Sequence, residues 1–216
     1  MLAVTLGCGS AFASSLDVHV DDGRGGVAEA VVSLHSAGAQ AALQPRAAQM
    51  DQRGSEFVPR LMTVQTGSPV TFPNSDGIHH HVYSFSPAKR FELPLYSGEP
   101  SDPVHFESPG VVTLGCNIHD WMLGYIVVLD TPYSAITDAS GTVRLQAPPG
   151  EYSLQVWHPH LAPGAQPMRR PVSIKDAGGS ENVILSLVPT VAPTREPVDP
   201  RLRALQDKLR SLKRER

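Results

Sequence analysis

Cysteine is nearly absent from the chain: only Cys8 and Cys116 occur in 216 residues, too few for the disulfide framework of a small secreted scaffold. Beyond the N-terminal segment, no stretch approaches the roughly 20 consecutive apolar residues of a membrane helix, so no span is expected. A basic face is missing as well. The net charge is −3, and residues 195–216 hold eight basic against four acidic side chains, which leaves the preceding chain at −7. Net charge says nothing by itself about nucleic acid, but binding a phosphate backbone needs a basic face and basicity is confined to the tail, so no nucleic-acid partner is expected. Long helical periodicity is lacking too. The 20 prolines and 18 glycines fall in short-spaced clusters that favour turns between short strands, so the expected class is mainly β. A hydrophobic fraction of 41% over this length is enough for two small cores and a tail.

Residues 1–13 are read as a secretory signal peptide. Leu2 to Phe12 is apolar or small, and Ala11-Phe12-Ala13 before Ser14 has the small-x-small form of a cleavage site. No Lys or Arg precedes the apolar stretch, so the signal is expected to be incomplete at its start. A lipoprotein anchor at Cys8 is the less favoured alternative, because Thr5-Leu6-Gly7-Cys8 matches such a motif weakly. Cleavage after Ala13 leaves Cys116 as the only thiol of an exported, periplasmic protein. A lone exported thiol needs a task.

Residues 14–49 are expected to form an N-terminal β extension, with Leu16 to Val20 and Val27 to Leu34 as a hairpin around the Asp21 to Gly26 turn. Ala37 to Ala48 is open between loop and short helix. Residues 50–130 carry strand signals over Phe57 to Phe72, His79 to Phe85, Val104 to Phe106, Val111 to Gly115 and Gly124 to Leu129, at a spacing that argues for a β-sandwich. Ser86 to Pro103, with four prolines, reads as a long surface connection. Residues 131–188 read as a small second β unit, from Val143 to Leu145 through Tyr152 to Trp157 and Val172 to Ile174 to Val183 to Val188. A proline-rich linker over 189–200 then leads to an amphipathic helical tail over 201–216, with Leu202, Leu205, Leu209 and Leu212 along one seam. That seam is expected to pack on its own domain or on a second copy rather than on a membrane.

The chemistry concentrates between Leu114 and Val128. Cys116, His119 and Met122 offer a thiolate, an imidazole and a thioether within seven residues. Soft ligands on one loop point to copper, and a His2Cys set with a weak axial Met requires a second histidine from elsewhere. His79, His80 and His81 supply the candidates. If their strand is regular, His79 and His81 point one way and His80 the other, so His80 does not share a metal with both neighbours.

These residues resemble the cupredoxins, the small type 1 blue copper proteins. Phe57-Val58-Pro59, Leu61, Val64, Gly67, Val70-Thr71-Phe72 and Asn74 look like that family's approach to its first copper histidine. Phe106, Pro109-Gly110, Cys116, His119, Met122 and Gly124 look like its ligand loop, in the short amicyanin-like spacing. The resemblance covers roughly 50–130 and implies a Greek-key β-sandwich with one copper ion. By position it makes His80 the first imidazole, Cys116 the thiolate, His119 the second imidazole and Met122 the axial thioether. The sequence departs from the family beside His80, where His81 replaces the usual Asn. His81 and Asn74, with Asp76 assisting, are therefore the candidates for holding the ligands in place. The stretch HHHVYSFSPAKRFELPLY also resembles exported proteins described as methylamine utilisation proteins.

Each of these residues also has a plainer reading. Cys116 and Met122 taken singly are ordinary core residues. His105, His158 and His160 read as surface or loop histidines, and Trp121 as either a core cap or an apolar rim for a redox partner. Their combination favours a non-enzymatic, periplasmic one-electron carrier. A copper carrier or sensor without redox traffic, and a structural β-sandwich interaction module, are the alternatives. A hydrolytic zinc site would need an open water position and a base, and Asp120 is the only acid beside the loop.

Overall fold

A computed structural model describes residues 14–36, 42–98, 100 and 102–189, and every regular element among them is a β-strand. The signal segment, the tail helix and all of the linker after its first residue lie outside the described residues. The chain forms two sandwiches that share a buried face.

In the first sandwich, a five-stranded sheet runs in the order Leu61–Gln65, Leu123–Leu129, Gly110–Gly115, His80–Ser86 and Lys89–Tyr96. Facing it is a three-stranded sheet of Val104–Phe106, Ser68–Thr71 and Ala48–Gln49. Phe72, Phe106, Val82, Val112, Leu114 and Ile126 fill the space between them. A small hairpin, Asp51–Gln52 with Phe57–Val58, closes one end.

The second sandwich sets Thr142–Ala147, Ser14–Asp21 and Gly179–Ile184 against Ser134–Ile136, Val31–Ser36, Gly150–Trp157 and Met168–Ile174. Ser14–Asp21 and Val31–Ser36 do not pair with each other, contrary to the hairpin expected from the sequence. The first lies antiparallel to Thr142–Ala147 and parallel to Gly179–Ile184, and the second pairs with Ser134–Ile136 and Gly150–Trp157. The strands of the N-terminal segment thus complete the sheets formed by residues 134–184. The physical reason lies in the core: Leu16, Val18, Val20, Val32 and Leu34 are buried with Leu145, Leu154, Val156 and Ile174. Burial of each such side chain is worth about 1.5–3 kcal/mol, an upper figure because the unfolded chain already hides part of it.

Two strands touch a core on each face, although Ser33 and His35 make the second face of Val31–Ser36 partly polar. In Val31–Ser36, Val32 and Leu34 face one core, while Val31 meets Leu61, Tyr125, Val127 and Leu129 of the first sandwich in another. Leu123–Leu129 has the same character, with Ile126 and Val128 turned inward and Tyr125, Val127 and Leu129 turned to the shared face. Near-continuous apolar runs are what doubly covered strands require. The second sandwich backs this sheet over Leu61–Gln65 and Leu123–Leu129, whereas Thr113 and Phe85 leave its outward face open nearer Cys116.

The stretch expected as a long surface connection contains a strand instead. Lys89–Tyr96 pairs antiparallel with His80–Ser86 at the edge of the five-stranded sheet. Pro94 masked it in the sequence, since proline breaks central strands. Here it falls in the register shift between the Val82–Leu93 and His80–Tyr96 pairs, where an edge bulge tolerates a missing N–H.

Candidate metal centre

His80 opens the strand His80–Ser86 and is wholly buried, 0% exposed. The loop before it is set by Asn74, whose Nδ2 donates to the carbonyls of Ile78 at 2.9 Å and Tyr96 at 2.8 Å. The Asn74 side-chain oxygen accepts the Asp76 N–H at 3.0 Å, an Asx turn that places the Asp76 carboxylate under the ring. Asp76 Oδ2 lies 2.8 Å from His80 Nε2. An ionised carboxylate only accepts, so this ring nitrogen carries a proton, and in the neutral ring Nδ1 is the atom whose lone pair faces the site.

Cys116 follows the strand Gly110–Gly115 directly and is 3% exposed. Its Sγ lies 4.0 Å from His80 Nδ1 and 3.9 Å from His119 Nδ1. The three donor atoms fall within 4.8 Å of one another. Metal bonds of about 2.0 Å to nitrogen and 2.3 Å to sulfur, splayed by about 120°, separate N from S by roughly 3.8 Å. The spacing thus fits one ion held between a thiolate and two imidazoles, a set whose softness suits copper.

His119 stands at the half-buried mouth, its ring 4.8 Å from that of His80 and 5.1 Å from that of Trp121. Burial and the neighbouring His80 lower its pKa from the ordinary value, against the pull of Asp76, and so favour the neutral, ligating form. Met122 is 2% exposed within the apolar cluster that contains Cys116. Its N–H donates to the His119 carbonyl at 2.9 Å, which curls the loop back under the site.

His81 is also buried, but it bonds elsewhere. Its Nε2 lies 2.8 Å from Glu92 Oε1 and its ring lies beside Tyr83, while its Nδ1 has no protein partner. The structure places Asp76, not His81, against the first imidazole. Burial pushes the Asp76 pKa up, but N–H donation from Ser55, His80 and Gly54 outweighs it and leaves the carboxyl below its usual range. Asp76 was legible only as one of several polar residues in the turn-rich segment 73–77. Contact across a folded loop does not show in spacing.

No protein-family model matches the chain, and no curated protein matches it. Among solved structures it is similar to a purple cupredoxin from Nitrosopumilus maritimus, at 23% identity and a TM-score of 0.34, over 38% of this chain and 99% of that one. It is similar to a copper-containing nitrite reductase from Thermus scotoductus, at 24% identity and a TM-score of 0.37, over 44% of this chain and 25% of that one. An oxidised amicyanin variant aligns at 23% identity and a TM-score of 0.35, over 38% of this chain and 82% of that one.

The other histidines lie apart from the three-donor cluster. His79 and His105 are exposed. His158, expected at the surface, is buried, with Nε2 donating to the Ala28 carbonyl at 3.1 Å and Nδ1 accepting the His160 N–H at 3.0 Å. Both of its ring nitrogens are therefore used inside the protein. Asp120 is exposed on the ligand loop. Among the described residues, no helix is long and apolar enough to cross a membrane.

Proposed function

We propose that the chain is an exported cupredoxin-type protein that holds one copper ion with His80, Cys116, His119 and Met122 and serves as a one-electron carrier. The observation that carries this reading is the convergence of Cys116 Sγ and two imidazole Nδ1 atoms inside a closed β-sandwich. Bound copper supplies a Cu(I)/Cu(II) couple at a potential tuned by its axial ligand. The protein's part is to hold donors still, and the buried apolar cluster in which Cys116 and Met122 pack suits that task. His80 and Cys116 are sealed from water, while His119 stands at the mouth beside Trp121. Exposed Ile118 and Leu123 flank that loop and give a periplasmic redox partner an apolar rim on which to dock. A setting in methylamine utilisation is proposed on the resemblance of residues 79–96 and their flanking β segments.

Copper reconstitution tests the reading. The wild-type protein loaded with Cu(II) is expected to show an intense visible thiolate-to-copper band and a reversible one-electron potential. Cys116→Ser should abolish the band, and His105→Ala should leave it intact. A colourless protein that retains Cu(I) tightly would point to a copper carrier without redox traffic. Copper uptake unchanged in Cys116→Ser would overturn both readings.

A further inference from the structure

We infer that the two-residue turn at Gly54-Ser55 is a brace that positions both histidine donors, reaching His80 through Asp76 and His119 through Trp121. This deepens the copper reading above and rests on it.

The turn joins Asp51–Gln52 to Phe57–Val58 and is closed by reciprocal backbone bonds between Arg53 and Glu56, of 3.0 and 3.2 Å. Gly54 and Ser55 both take left-handed backbone angles, φ +64° and +57°, the twist that a tight hairpin prefers. Glycine adopts this freely. Serine does not, and its cost of about 1–2 kcal/mol must be met by what the turn touches.

Those contacts lead to the two histidines. The N–H groups of Gly54 and Ser55 donate to Asp76 Oδ1 and Oδ2 at 2.7 and 2.9 Å. The carboxylate thus bridges the turn to His80, because Oδ2 also accepts from Nε2 at 2.8 Å. On the opposite side, the Ser55 carbonyl accepts the Trp121 Nε1–H at 3.2 Å, and the Trp121 ring packs against the His119 ring. One turn, remote in sequence from both ligand loops, therefore contacts the residue that orients each imidazole. A negative charge on the far side of a ligating imidazole also makes the ring a stronger donor and favours Cu(II). Asp76 and Trp121 are positioning residues; neither contributes an atom to the donor cluster.

The test uses the full exported chain in its metal-free and copper-loaded forms. In wild-type apo-protein, nitrogen-15 NMR of the His80 ring should show a single tautomer protonated at Nε2. Asp76→Asn should mix the tautomers, weaken Cu(II) about 10- to 100-fold and move the potential upward. Trp121→Phe keeps an aromatic ring, smaller than the indole, and loses the N–H; it should broaden the His119 ring signals, weaken Cu(II) and leave the His80 tautomer unchanged. A His80 ring protonated at Nδ1 in the wild type would overturn the inference without any variant. So would wild-type affinity and potential in Asp76→Asn, or wild-type His119 signals in Trp121→Phe, if the wild-type protein shows the thiolate-to-copper band. Absence of that band in the wild type would remove the copper reading and this inference together.

Discussion

Asn74 and Tyr96 are joined by a 2.8 Å bond from the Asn74 side-chain amide to the Tyr96 carbonyl, linking the loop before His80 to the edge strand that pairs with it. The same amide satisfies the Ile78 carbonyl, and the Asn74 oxygen takes the Asp76 N–H. Asn74→Ala leaves these groups without their partner in a buried setting, at an expected cost of about 1–3 kcal/mol. Urea denaturation of the apo-protein checks it. A midpoint equal to wild type would mean that water replaces the amide at no cost.

Met122 separates a core role from a ligand role. Met122→Leu nearly conserves volume and should cost less than about 1.5 kcal/mol of apo stability. With copper bound, the same variant loses its thioether, and the potential should rise. Stability by denaturation and potential by voltammetry are independent readouts. An unaltered potential and visible spectrum would leave Met122 as core filling only.

His158 predicts an acid-sensitive second sandwich. Burial, together with the nearby His160 and Arg60, lowers its pKa from 6.5 to about 4, against the opposing effect of the Ala28 carbonyl. A histidine held neutral in the folded state stabilises fully above its unfolded pKa near 6.5, and that stabilisation drains away as pH falls toward 4. Between pH 7 and 4.5 the wild type should lose about 2 kcal/mol more than His158→Gln. Parallel urea titrations at the two pH values decide it, and equal losses would contradict the assignment.

Gly141 sits where the turn after Asp138 meets the end of Ser14–Asp21. Its φ is +78°, and an added Cβ would lie 2.3 Å from the Val20 carbonyl oxygen and 2.6 Å from the Val27 nitrogen. Backbone cannot step aside as a side chain can, so Gly141→Ala should cost at least about 2 kcal/mol. Gly164 has φ +79° with nothing near its missing Cβ, and Gly164→Ala should cost only the backbone preference, about 1 kcal/mol. Thermal melts of the pair separate collision from conformation.

Turn residues and short alternating runs made the all-β class readable, because period-two burial is imposed locally by the pleat. Thr142–Ala147 buries every second side chain in this way. Lys89–Tyr96 was not readable, since Pro94 is a strand breaker unless an edge and a bulge are available, and both are properties of the assembled sheet. Nor could the partners of Ser14–Asp21 be read, because strands from residues 14 and 179 meet only when their apolar faces share a core.

The sequence by itself determined the candidate donors: Cys116, His119 and Met122 share one short loop, and the spacing of a loop survives in any fold that bends it. Only the tertiary structure decided what holds His80, already singled out by the resemblance, against Cys116. Strand alternation turns His80 inward and His81 toward Glu92, and the Asp76 carboxylate, itself held by Gly54 and Ser55, aims the His80 Nδ1 at Cys116. Those contacts cross from loop to loop, and no local periodicity encodes them.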